Sequence, residues 1–261
     1  LQPPAGPALA EEATVHQRVD EPGGPAEGGD AQVGAVRLGV AAHMHRLRGQ
    51  HAAEAHRGSG RDRDGRVDLD DEHGDAADLV TDARATVEQI KAFIRDRDYL
   101  KLPEPDNCQV VEMPEFRRGN SLAYLDNAPP LDPKASSIYA VSPPPADWTP
   151  AQIKSFLEEY NSHMLKILTI HEGYPGHYVQ LEYANRNPSL IRRVYQSGTY
   201  VEGWAVYGEI TMLNEGFGDG DLRLRLMQLK FYRRAVANSI LDYQMHCTQM
   251  TDDEVMKFLT G

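Results

Sequence analysis

The chain has 261 residues and a formal net charge of −12, which speaks against a nucleic-acid binder with its basic face but leaves room for an enzyme with a local positive pocket. No run of eighteen apolar residues occurs, so no membrane span is expected. The two cysteines, Cys108 and Cys247, form no CxxC and allow at most one disulfide, which excludes a disulfide scaffold.

Residues 1–80 differ from the rest. They hold twelve glycines, fourteen alanines and eight arginines against fifteen acidic residues, and all twenty aromatic residues lie at or after Phe93. A segment with so little to bury does not offset its backbone entropy. It reads as low-complexity, disordered or non-native sequence, the latter of the kind a GC-rich gene gives out of frame. AEEATVHQRV and VGAVRLGVAAHMHRL allow short helices without a core of their own. The histidines at 16, 43, 45, 51, 56 and 73 have no site-like spacing. DRDGRVDLDD, 62–71, lacks the full order of a calcium loop and reads as a solvated acidic loop. No signal-peptide pattern is visible at the start, and the compartment stays open.

Residues 81–261 read as a mostly α-helical domain with a few short strands. Val87, Ile90, Phe93 and Ile94 share one side of a helix over 82–98. CQVVEMPEF, SLAYLDN and SSIYAVSPPP are short extended pieces, a small sheet or hairpin, the last ended by three prolines. Thr149, Pro150 and Gln152 form a capping box at a helix start. Ile153, Leu157, Tyr160, Met164 and Ile167 or Leu168 then recur at helical spacing, and the stripe leads to His171. A further helix is expected over about 190–213, ending in NEGFGDGD. Leu222, Leu226, Leu229, Val236, Ile240 and Tyr243 mark another long helix, and Thr251 with Glu254 caps a last one whose apolar face hints at a partner beyond the chain.

The chemistry concentrates in HEGYPGH, 171–177. In a regular helix, residues six apart point about 240° from each other, so His171 and His177 cannot grip one ion from an unbroken helix. Pro175 breaks the hydrogen-bond ladder, and Gly176 permits unusual backbone angles, so the helix can loop out over 173–176 and resume near His177. Glu172 then stands where the general base of an H-E-x-x-H site stands. A catalytic zinc needs a third protein ligand. VEGWAVYGE, 201–209, offers Glu202, with Glu209 seven residues on and on the same face. Taken singly, these residues have plainer readings: a core histidine at 171, surface acids at 202 and 209, a structural histidine at 246.

HEGYPGHYVQ, EGWAVYGE and RRAVANSILDYQMH together resemble the bacterial DUF885 family, through His171, Glu172, Pro175, Gly176, His177, Gln180, Glu202, Gly203, Trp204, Ala205, Tyr207, Glu209, Arg234, Asp242 and His246. The likeness runs over about 82–261. Family members are usually about twice as long and continue past this C-terminus, so the chain reads as a C-terminal portion. The resemblance implies a mostly helical zinc metallopeptidase. It implies His171, His177 and Glu202 as metal ligands and Glu172 as general base and proton shuttle. His246 and Tyr207 become candidate oxyanion donors, Arg234 a binder of a substrate carboxylate, and Glu209 and Asp242 residues that orient the ligand histidines.

The leading expectation is therefore zinc-dependent hydrolysis of short peptides. Two others stand beside it: a zinc-dependent amide or ester hydrolase, and a catalytically inactive metal-binding fragment.

Overall fold

The computed structural model describes residues 76–98, 100–118, 121–132 and 134–260. The short helices expected near the start, the six histidines before residue 75 and the acidic loop at 62–71 lie outside the described residues.

Helix α1, Leu79–Arg97, buries Leu79, Ala83, Thr86, Val87, Ile90 and Ile94, spaced by three and four so that they share one face. It stops at Asp98, whose left-handed φ of 48° turns its N–H back onto the carbonyls of Ile94 and Arg95. The three extended pieces become β1 (Cys108–Glu112), β2 (Ala123–Asp126) and β3 (Ser137–Val141), in one sheet of order β1-β3-β2. The β1–β3 pair is parallel, with Cys108 opposite Ser137; β2–β3 is antiparallel, with Ala123 opposite Val141. Central β3 is the most buried strand, while β1 and β2 are edges.

The capping box forms as expected at Thr149, opening α2, Pro150–Glu159. The stripe towards His171 is not one helix. Asn161 accepts from the N–H groups of His163 and Met164, both at 3.1 Å, and starts a new helix, α3, Ser162–Glu172. A short amide side chain competes for backbone donors and so caps rather than continues a helix. Helix α3 is buried almost all round, and it packs against α1 on one side.

Helix α4, His177–Asn185, follows a four-residue break. The helix expected over 190–213 is two: α5, Leu190–Val194, and α6, Gly198–Asn214, separated by extended Tyr195 and a cap at Ser197. Helix α7 spans Leu222–Cys247 and α8 Asp252–Thr260, the latter opened by the expected Thr251–Glu254 box. Helices α6 and α7 also pack on α3.

The apolar residues that marked α7 form the expected long helix but lie on its outer side. Leu222, Leu226, Leu229, Val236, Ile240 and Tyr243 are exposed, and the buried residues are Leu224, Met227, Gln228 and Leu241. The roll of α7 is set by what it meets on α3 and α6. Phe231 lies edge-on against the His171 ring, and Gln228 donates to Glu209. Cys108 and Cys247 are both free thiols. No described helix is long and apolar enough to cross a membrane.

Candidate metal centre

The break between α3 and α4 is a built feature. The N–H groups of Gly173 and Tyr174 both reach Thr169 O, and Gly176 N–H reaches Ile170 O at 3.0 Å, so the chain doubles back over the end of α3. Three neighbours hold it there. The Tyr174 hydroxyl donates to Asp106 at 2.7 Å, and Lys91 pairs with the other oxygen of that carboxylate at 2.9 Å. Asn107 N–H donates to the Tyr178 hydroxyl at 2.8 Å. Trp204 Nε1–H, from α6, donates to the Pro175 carbonyl at 2.8 Å. The tyrosine and the tryptophan inside the two motifs thus serve to fix the loop against α1, the β1 approach and α6.

The fold-back brings the imidazoles together. The rings of His171 and His177 stand 4.6 Å apart, nearly perpendicular, and both residues are buried. Glu202 comes to them from α6: its Oε2 lies 3.6 Å from His171 Nε2 and 3.7 Å from His177 Nε2. The ligand atoms of the three residues all fall within 4.8 Å of one another, a group able to hold a metal ion. Two imidazoles and a carboxylate are a known catalytic zinc donor set, and tetrahedral bonds of that kind put donors about 3.3 Å apart. The residues present therefore fit zinc, with a small contraction, and leave a fourth position.

Glu209, seven residues past Glu202 on the same face of α6, is fully buried and accepts from His171 Nδ1–H at 2.7 Å. That bond leaves Nε2 facing Glu202 and the metal position, the usual way an outer carboxylate sets the tautomer of a ligand histidine. Burial opposes the His171 imidazolium, but hydrogen bonds to Glu202 and Glu209 and the nearby Glu172 charge outweigh it, and the pKa is pushed up to about 10. The metal-free protein therefore holds a proton on His171 at neutral pH. By linkage, that proton stabilises the metal-free fold fully below the ordinary histidine range, and the contribution is lost as pH rises through about 10. A metal must displace it, so zinc affinity is expected to rise about tenfold per pH unit below that value, with a proton released on binding. Calorimetric titration of zinc in buffers of different protonation enthalpy measures this; affinity flat from pH 6 to 8 would contradict it.

Glu172 lies next to the cluster with its side chain in the protein. Leu125 N–H, from strand β2, donates to its Oε2 at 3.0 Å. Burial pushes its pKa up, and Glu202 and Glu209 add to this, against a pull downward from His171 and the Leu125 N–H. Nothing in the sequence marked Leu125, because a backbone donor has no residue signature. Nor did the sequence single out Phe231, whose ring meets His171 at 5.4 Å, edge to face.

The remaining expected residues spread outward along α6 and α7. Tyr207 is exposed and stacks loosely on Trp204, ring centres 6.1 Å apart. Arg234 lies over the Phe231 ring at 4.8 Å and donates to the Tyr160 hydroxyl at 3.4 Å. His246 Nδ1–H donates to the Asp242 carbonyl at 2.7 Å, with the Asp242 carboxylate 3.4 Å away. Asp242 was expected beside a ligand histidine; its contact is with His246 instead, because i,i+4 neighbours on one helix meet first.

The DUF885 profile, described as bacterial protein of unknown function, matches residues 26–261. The chain belongs to the DUF885 family. The match begins well upstream of residue 82, where the motif likeness was expected to start. No curated protein matches significantly. Among solved structures, a candidate lipoprotein of unknown function from Shewanella oneidensis is 29% identical with a TM-score of 0.63, over 87% of this chain and 42% of that one. A candidate lipoprotein from Colwellia psychrerythraea is 21% identical with a TM-score of 0.56, over 88% of this chain and 38% of that one, and shares the fold. The chain thus spans less than half the length of either of these solved structures.

Proposed function

We propose that this DUF885 chain carries the zinc centre of a peptidase acting on short peptides. The observation that carries the reading is Glu172, half-buried beside the His171–His177–Glu202 cluster and tied to a strand edge. Zinc bound there supplies Lewis acidity, which polarises a carbonyl and makes water a nucleophile near neutral pH. The chain's own residues do the rest. His171, His177 and Glu202 hold the metal, and Glu209 orients His171. With Oε2 held by Leu125, Oε1 of Glu172 takes the proton from the attacking water and returns it to the leaving amine. His246 lies fifteen residues past Phe231 on α7, about 22 Å along the axis, too far to donate to an oxyanion at the cluster, which leaves Tyr207 as the candidate donor.

Strand β2 favours a peptide over a small ester or amide. Ser142 N–H donates to Leu122 O, so alternate residues from 122 turn their backbone groups to β3 while Ala123 and Leu125 turn theirs outward. The outward Leu125 N–H is the one that meets Glu172. An extended peptide laid along this edge is held by its main chain beside the base. The test sets short peptides against small amides and esters of matched size, with zinc present. Hydrolysis of peptides that stops on chelation is the expected result. Turnover confined to esters or small amides would overturn it.

A further inference from the structure

We propose that the outer face of α7 is one half of a coiled coil, and that it receives an acidic amphipathic helix from the part of a family-length chain that these 261 residues do not span. Leu222, Leu226, Leu229, Arg233, Val236, Ile240 and Tyr243 follow one another along α7 in alternating steps of four and three. That is the 3.5-residue repeat of a coiled-coil seam, held for three heptads. All seven residues are exposed. A helix that only lies on a globular core shows a wider apolar stripe. The packing of α7 inside this chain uses other residues: Leu224, Met227 and Phe231 join the main core, and Leu241 packs with Val255 of α8 in a small cluster of its own. The seam is thus additional to that packing, and the knobs of such a seam fit the holes of another helix. None of its residues belongs to the metal cluster.

Charge decides which helix. The positions flanking the seam hold Arg223, Arg225 and Lys230 and no acidic residue, and Arg233 sits in the middle of the seam itself. Arg223 meets Asp221 at 3.1 Å and Lys230 meets Glu159 at 2.6 Å. Arg225 donates to the neutral side-chain amide of Asn214 at 2.6 Å, and Arg233 is exposed, so these two leave the face positive in a molecule whose formal net charge is −12. Glutamates beside the seam of an incoming helix complement it and fix its register.

A second copy of this chain does not fit the face. Arg233 is central, so α7 against α7 sets arginine near arginine in either direction, and two molecules of charge −12 repel. An anionic bilayer takes a broad apolar face rather than a narrow seam, and the same net charge opposes it. The two solved structures extend far beyond the match, which covers 42% and 38% of their chains. More than half of each relative therefore lies outside the matched region, with ample length for a helix that covers this face.

The test titrates this chain with two synthetic three-heptad helical peptides, both with leucine along the seam, one flanked by glutamate and the other by lysine. The glutamate peptide is expected to bind about tenfold or more tightly than the lysine peptide, and to weaken as salt is raised. Arg233→Glu, at an exposed position, is expected to remove or reverse the preference, and Leu226→Asp to weaken the glutamate peptide. Binding of neither peptide, equal binding of both, or a preference untouched in both variants would overturn the proposal. Sedimentation of the chain alone is expected to give a monomer; a dimer abolished by Leu226→Asp would mark a second copy as the occupant and overturn it. Binding to phosphatidylglycerol vesicles in place of the glutamate peptide would do the same in favour of a membrane. Hydroxyl-radical footprinting tests where the helix comes from. Seam side chains are expected to be labelled in this chain and the aligned side chains spared in the intact Shewanella oneidensis relative; labelling in both would place the helix on a separate protein and overturn its assignment to the family-length chain.

Discussion

Glu172→Gln is expected to lower peptide hydrolysis by about 10²–10⁴-fold and to leave zinc content unchanged. The substitution is nearly isosteric, and its amide oxygen can still accept from Leu125 N–H, so strand β2 and the end of α3 keep their contact. What disappears is the group that accepts a proton. The residues that would hold the metal, His171, His177 and Glu202, are untouched. Rates on a short peptide, read together with elemental zinc analysis of the same preparation, check this. Full activity in the variant would remove Glu172 from the mechanism, and activity lost together with zinc would make it a structural residue.

Gly176→Ala is expected to cost roughly 3 kcal/mol or more of stability and to abolish tight zinc binding. A Cβ at this position would lie 1.9 Å from His171 O and 2.3 Å from Ile170 O. Both are backbone atoms at the end of α3, so no side chain can rotate out of the way. The fold-back must open, and with it the approach of His177 to His171. Gly203 provides the internal control. It sits within α6 beside Glu202, and an added Cβ there meets nothing within 4 Å. Gly203→Ala is expected to be neutral or to stabilise by about 0.5–1 kcal/mol, because alanine loses less backbone freedom in a helix. Thermal melts and zinc titration of the two variants decide the matter. Equal behaviour would mean that the 173–176 loop does not set the site.

The readable parts of this protein are those where local chemistry decides. Thr149 with Gln152, and Thr251 with Glu254, cap their helices as expected because a box is closed within four residues. The break at 173–176 was legible because proline and glycine act on their own backbone. The pairing of Glu202 with Glu209 followed from helical spacing, and the two carboxylates do stand on either side of the His171 ring.

Elements that depend on distant partners were not legible in this way. The inward face of α7 is chosen by Phe231 against His171 and Gln228 against Glu209, across helices far apart in sequence, so the apolar spacing along α7 marks a helix without showing which side is buried. The Leu125 N–H that holds Glu172 comes from a strand whose register is set by β3. The role of Asp106, tying Lys91 to Tyr174 beneath the loop, likewise needs the tertiary fold.

The most direct measurement is bound zinc per chain, by elemental analysis of tag-free protein washed free of loosely held metal, before and after zinc addition. Roughly one zinc per chain, lost in both His171→Ala and His177→Ala, is the result expected of a three-ligand site closed by the fold-back. No zinc taken up on addition, or zinc retained in full by those two variants, would contradict it.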